Sequence, residues 1–232
     1  MSDLFYTGRA KRTSGSFTVS CKGTREIAKK IQKLENGGEV AIKRTVSDFT
    51  SRAPAWVKKG IKEHYGVDNA AIQEAAQRPR RGQTSIKVAG VTVDGATLEY
   101  KGRTLTPLHF KMSPKAQPTA RQNKQIRVPG QAIATSQGSP VAMVAPPKRY
   151  TVKATIIKGQ RVSLGKGTFI AAGNGGVNLP FQKTSEDRTP IEAVRTLSVP
   201  QMIDGRARET IENMISEQMG KRFEHHVQQA MK

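Results

Sequence analysis

The sequence predicts an α+β fold. It should contain an N-terminal helical hairpin, a mainly antiparallel β-sheet with hairpins, and a long C-terminal amphipathic helix. Three observations point there. Apolar residues recur at helical spacing early in the chain, first at Ile27, Ile31 and Leu34 and then from Val40 to Tyr65. The middle of the chain alternates apolar and polar residues over short runs bounded by turn residues. Helical spacing then returns after Ser198–Pro200 and holds nearly to the end. Helices, then strands, then a helix is the order of an α+β domain rather than of alternating βαβ units.

Taken in order, residues 1–15 are short, polar and basic and read as a mobile arm. Ser16–Lys22 alternates Phe17, Val19 and Cys21 against polar neighbours, a half-buried strand pattern. Gly23–Leu34 reads as a helix capped by Thr24 and ended by Asn36-Gly37-Gly38, residues that tolerate positive φ. The second helix of the hairpin carries Val40, Ile42, Val46, Phe49, Ala53, Trp56, Val57, Ile61 and Tyr65, and Gly66 closes it. Pro54 lies inside it and predicts a kink or break near Ala53, because proline lacks the amide donor and crowds the preceding turn. Asp68 or Asn69 is placed to cap a short helix over Ala70–Gln77, stopped by Arg78-Pro79.

Ser85–Val93 and Thr97–Tyr100 read as strands joined at Asp94-Gly95, a hairpin signal. Leu105–Met112 reads as a further strand, held to a sheet edge by Pro107. Residues 113–148 show no useful period and read as a flexible basic insertion within a single domain spanning 16–232. Arg149–Ile157 and Arg161–Leu164 then form strands around the Lys158-Gly159-Gln160 turn. Phe169–Ala172 and Phe181–Arg188 follow on either side of the Gly173–Gly176 break. Ile191–Leu197 is a strand that passes through Ser198–Pro200 into a helix over Arg206–Ala230. The scaffold core is expected to include Phe169, Val194, Leu197, Val199, Met202, Ile211, Ile215 and Met219, with Pro200 setting the helix entry.

Charge narrows the function. The chain has 39 Lys+Arg against 18 Asp+Glu, a formal net charge of +21, which favours a polyanion or an acidic partner surface. No acid occurs between Glu99 and Glu186, where 14 Lys and Arg stand without local counter-charges. Candidate contacts are Arg78, Arg80, Arg81, Lys101, Arg103, Lys111, Lys115, Arg121, Lys124, Arg127, Lys148 and Arg149. The first three sit in a predicted loop suited to touching phosphate without reading sequence.

Chemistry finds little support. Gly159–Lys166 resembles a phosphate loop, but five residues separate its glycines where four are needed. Gly167 also stands where a magnesium-binding hydroxyl should be, so a β-hairpin is the simpler reading. The four histidines form no metal-ligand pairing, and His225 and His226 are adjacent, pointing about 100° apart on a helix. A lone Cys21 excludes an intrachain disulfide and fits a reducing compartment. The N-terminus lacks an apolar export segment and no run is long enough to span a bilayer, so a soluble protein with no membrane contact is expected. No catalytic residue, cofactor or metal is expected.

Three segments together resemble the minor tail protein Z family of bacteriophages and prophages. They are IKRTVSDFTSRAPAWVKKGIKEHYGV, the pair TFIAAGNGG and NLPFQKT, and RTPIEAVRTLSVPQMI with the helix after it. The resemblance covers about two thirds of the chain and omits 113–148. It implies a non-enzymatic virion protein, assembled in the bacterial cytoplasm, that completes the head-proximal end of a tail and helps join it to the head. It further implies a ring of roughly six or twelve copies around the DNA conduit, contacting tail-tube, terminator and neck proteins. The alternative expectation is a nonspecific nucleic-acid-binding protein acting through a basic surface.

Overall fold

The computed structural model describes residues 4–20, 29, 35–72, 85–91, 95–118, 127–134, 140–144, 150–173, 176–183 and 190–231. Among these, two sheets pack around one apolar core together with a pair of long helices. Helix α1 is Glu35–His64 and the C-terminal helix α3 is Arg208–Ala230, with the short α2 (Val199–Asp204) just before it. The first sheet has the order β1–β11–β10–β9, formed by Phe5–Thr7, Ile191–Thr196, Asn178–Lys183 and Phe169–Ala172, all antiparallel. The second has the order β2–β4–β3, formed by Arg12–Ser20, Gly95–Arg103 and Ser85–Val91, also antiparallel. Two-stranded pairs complete the set: β5–β6 (Arg127–Ala134, Pro140–Val144) and β7–β8 (Lys153–Ala154, Val162–Ser163). This is the α+β class with its long C-terminal helix.

α1 and α3 run antiparallel. His64 Nε2 lies 2.7 Å from the Thr210 hydroxyl at one end. Near the other, Asp48 is 3.5 Å from Arg222 and 3.2 Å from His226. The two stripes between them are apolar at four-residue spacing: Phe49, Ala53, Val57 and Ile61 on α1, and Ile211, Ile215, Met219, Phe223 and Val227 on α3, all buried. At Gly60 the helices come so close that an added Cβ would sit 2.5 Å from Ile211 Cγ1.

Pro54 does not break α1, which is continuous from Glu35 to His64. Magnitudes explain why the helix runs through the proline without a break. An interior proline costs about 3 kcal/mol, whereas each large apolar side chain buried along the stripe contributes about 1.5–3 kcal/mol. Nor do Asn36-Gly37-Gly38 end a helix; they lie within α1. The predicted first helix of the hairpin, 23–34, lies outside the described residues except for residue 29, as does Cys21. The inward face at the start of α1 also differs: Ala41 and Thr45 are buried while Val40 is exposed. The Thr45 hydroxyl is satisfied by the Ala41 carbonyl at 2.8 Å.

Three further expectations are corrected. Residues 4–14 are not a free arm, since β1 pairs with β11 and β2 begins at Arg12, four residues before the predicted strand. Leu105–Met112 is not a strand; Pro107–Phe110 is a 3-10 turn entered from an extended Thr106, with proline preset for a helical start. The 113–148 insertion contains the β5–β6 hairpin, in register from Ala132↔Ala142 to Ala134↔Pro140. No alternating apolar pattern announced that hairpin.

The junction at the end of β11 ties the two sheets to the helices. Val194 and Thr196 point inward from β11 and are buried. Ser198 caps α2: its hydroxyl accepts from the Gln201 amide at 3.2 Å, and the Gln201 side chain accepts from the Ser198 amide at 2.9 Å. This reciprocal box satisfies two donors that the helix start leaves open. The same Ser198 hydroxyl is 2.6 Å from the Thr13 hydroxyl on β2. Leu105 and Leu197 bond backbone to backbone at 3.3 Å, so the end of β4 is fastened to the end of β11. Val199, Pro200, Met202 and Ile203 are buried, and Leu197 packs against the core from its edge.

Candidate functional site

The outward faces of the two sheets differ in chemistry. On the second sheet, Arg12, Ser14, Ser16, Thr18 and Ser20 of β2 alternate outward while Phe17 and Val19 turn into the core. Glu99, Lys101 and Arg103 are the exposed positions of β4, and Lys87 is exposed on β3. The register sets Arg12 directly opposite Arg103, Ser14 opposite Lys101 and Ser16 opposite Glu99. Lys87 stands opposite Glu99 from the other side. Two arginines facing each other across strands repel and destabilise the pairing.

The connection from β1 to β2 adds to this end of the sheet. It folds over the end of β4, with the Lys11 amide donating to the Thr104 hydroxyl at 3.0 Å and the Thr104 amide donating to the Lys11 carbonyl at 3.0 Å. The Tyr6 hydroxyl is 2.8 Å from the same Thr104 hydroxyl, and Lys11 Nζ lies 4.9 Å from the Tyr6 ring centre. Arg9, Lys11, Arg12, Lys101 and Arg103 therefore gather at one corner, all exposed and none ion-paired with a carboxylate among the described residues. Arg195 stands opposite Tyr6 in the β1–β11 register. Its Nε is buried without a hydrogen-bond partner among the described residues.

The outward face of the first sheet is apolar by comparison. Phe169 and Phe181 are register partners and stack with ring centres 6.1 Å apart. Both are half-buried, as is Leu179, and Ile191 at the start of β11 is 42% exposed. Phe169, expected in the core, lies on this outer face because Ile170 takes the inward position of β9.

The candidate contacts named from sequence separate accordingly. Lys101 and Arg103 lie in the basic corner. Lys111 is exposed at the end of the 3-10 turn, in the left-handed region at φ 51°, and Lys115 is exposed just beyond it. Arg127 begins β5. Arg78, Arg80, Arg81, Arg121, Lys124, Lys148 and Arg149 lie outside the described residues. Arg9, Lys11, Arg12 and Lys87 were not among the candidates. The signal for the first three was an N-terminal segment as basic as the acid-free span, but only the β2–β4 register places it there, and Lys87 is set by the β3–β4 register.

A polar cluster beneath the corner is a fastening. The Tyr100 hydroxyl donates to the Asp204 carboxylate, reaching from β4 to the end of α2. Arg208 lies 3.9 Å from Asp204, 2.9 Å from Glu212 and over the Phe17 ring at 5.6 Å. Gly15, opposite Tyr100 in register, leaves room for this contact: an added Cβ would come within 2.8 Å of the phenol oxygen. Burial, with the bond to Asp204 and that carboxylate's charge, pushes the Tyr100 phenol well above its ordinary 10.0. A phenol so hard to ionise acts as a hydrogen-bond donor.

The pH consequence has a definite sign. The folded protein keeps the Tyr100 proton to higher pH than the unfolded chain does. The contribution is therefore fully present below about pH 10 and is lost as pH rises through the folded value. Tyr100→Phe is expected to lower stability by about 1.5–3 kcal/mol near neutral pH. The gap to the unsubstituted protein should narrow above about pH 10. Denaturant unfolding across that range checks it, and a gap that widens with pH would refute the assignment.

The phosphate-loop resemblance dissolves in the fold. Gly159 (φ 80°) belongs to the turn closed by Gln160 N to Ile157 O at 3.0 Å. Gly165 (φ 106°) and Gly167 (φ 78°) lie beyond β8. His225 and His226 have ring centres 5.4 Å apart at a steep angle, and His226 is engaged with Asp48. Among the described residues no three His, Cys, Asp or Glu side chains are grouped to hold a metal, and no helix is long and apolar enough to cross a membrane. No protein-family model matches this chain, no curated protein matches it in sequence, and no solved structure matches its fold.

Proposed function

We propose that this chain is a structural virion protein that completes the head-proximal end of a phage tail and helps join tail to head, as one subunit of a ring around the DNA conduit. The observation that carries the reading is the junction segment RTPIEAVRTLSVPQMI. The resemblance rests chiefly on this segment, whose described residues form a scaffold: β11, the Ser198 box and α2 bind both sheets to the helix pair. A scaffold of this kind leaves function to the surfaces it holds apart. A ring subunit needs at least two unlike surfaces, because head-to-tail contacts join different patches of neighbouring copies. The stacked Phe169–Phe181 face suits a protein neighbour, since aromatic residues are enriched in such contacts. The basic corner suits the conduit side.

Deleting the gene from its phage or prophage and imaging the particles tests this. Heads and tails that accumulate unjoined, with restored particles carrying the chain at the head-proximal tail end in cryo-electron microscopy, are the expected result. Joined, infectious particles assembled without the chain would overturn it. The second reading, a nonspecific nucleic-acid-binding protein outside any virion, is favoured by the basic corner alone. It predicts that second result.

A further inference from the structure

We infer that the outer face of β2–β4–β3 and the corner beside it form a binding site for the phosphate backbone of double-stranded nucleic acid. The inference deepens the tail-joining reading by naming what the basic side faces, and it rests on that reading only for its biological setting.

Three features select this ligand class. The first is the set of donors. Arg12, Lys101 and Arg103 project from adjacent strands, with Arg9 and Lys11 at the edge and the Ser14 hydroxyl opposite Lys101. Arg, Lys and Ser/Thr side chains are the groups that contact phosphate and fix a protein on a duplex without reading its sequence. Glu99 is the only carboxylate on the described residues of the three strands, and Lys87 stands across from it.

The second feature is what the face lacks. Its described outward positions carry no aromatic and no large apolar side chain. Single-stranded nucleic acid is held by bases stacking on aromatic platforms; the strand face offers none, and Tyr6 at the corner is half-buried with Lys11 over its ring. An acidic protein partner would want an aromatic or apolar centre, and protein interfaces, though enriched in Arg, are depleted in Lys and Ser. The aromatic face of this molecule is on the other sheet.

The third feature is unrelieved charge. Arg12 and Arg103 repel across the strands. A polyanion laid across the corner relieves the repulsion, and release of its condensed counterions drives the binding.

The test uses the purified full chain with a duplex of arbitrary sequence and a single strand of the same length, followed by fluorescence anisotropy over a salt series. Duplex binding is expected to be the tighter of the two and to weaken steeply with salt. The variant Arg12→Gln/Lys101→Gln/Arg103→Gln is expected to reduce the slope of log affinity against log salt by about 2–3, close to 0.9 for each phosphate left unneutralised. A control of equal charge change, Lys158→Gln/Arg161→Gln/Lys166→Gln, removes three exposed cations elsewhere in the acid-free span. It should change the slope by less than about 1. Thermal melts establish that both variants fold.

Equal reductions in the two variants would mean that net charge alone binds, and would overturn the site. So would tighter binding to the single strand, tighter binding to polyglutamate than to the duplex, or no duplex binding at low salt. Particles that assemble without the chain would remove the tail-joining reading while leaving a duplex-binding result standing, so the two failures are distinguishable.

Discussion

Replacing Gly66 by alanine is expected to destabilise the protein by about 3 kcal/mol, lowering the thermal midpoint and reducing soluble yield. Gly66 lies just past the end of α1, after Tyr65, and its amide donates to the Ile156 carbonyl at 3.0 Å. An added Cβ would lie 2.1 Å from the backbone oxygen of Thr155. Backbone cannot step aside as a side-chain tip can. Accommodating the methyl means moving the 155–157 segment away from α1, and with it the buried Ile156 and the Tyr65↔Ile157 bridge. Gly90→Ala is the matched control, since nothing lies within 4 Å of an added Cβ there, and it should stay within about 0.5 kcal/mol of the unsubstituted protein. Similar destabilisation in both would show that the cost lies in replacing glycine as such rather than in the close approach.

The helix pair predicts a coupling. Gly60→Ala should cost about 1–3 kcal/mol by overpacking, even though alanine is the better helix former by about 1 kcal/mol. The methyl would meet Ile211 Cγ1 at 2.5 Å. Ile211→Ala, at a fully buried position, should cost about 2–5 kcal/mol through the cavity it leaves. The double variant fills part of that cavity with the new methyl. It should be more stable than the two single effects summed by at least about 1 kcal/mol. A double-mutant cycle from denaturant unfolding measures this. Simple additivity would mean that α1 and α3 do not touch at Gly60 in solution.

Much of the fold was legible because its signals are local. The C-terminal helix could be read from Ile211, Ile215, Met219, Phe223 and Val227, since one buried stripe imposes one period. The strand before Ser198 was legible too, but Ser198–Pro200 reads as a turn into a helix from Arg206, and the separate α2 with its Ser198–Gln201 box is seen only in the structure. The β3–β4 hairpin followed from Asp94-Gly95 between alternating runs, and of the two capping candidates, Asp68 and Asn69, it is Asp68 that accepts from the Ala71 amide, at 2.9 Å.

The misreadings share a cause, which is that a distant partner decided the outcome. Pro54 predicts a break until the burial along α3 is counted. Residues 4–14 read as an arm because β1 and the start of β2 have too little apolar alternation to be strands alone; they are strands because β11 and β4 supply the hydrogen bonds. Thr45 gives no sign of being buried until α1 is packed.

By itself, then, the sequence determined the class of the fold, the last strand-to-helix junction and the excess of positive charge, since periodicity, capping and composition are properties of neighbouring residues. Only the tertiary structure decided where that charge gathers. Arg12 and Arg103 are 91 residues apart in the chain and become neighbours through one strand register. A shift of that register by a single residue would turn every side chain of the strand to the opposite face.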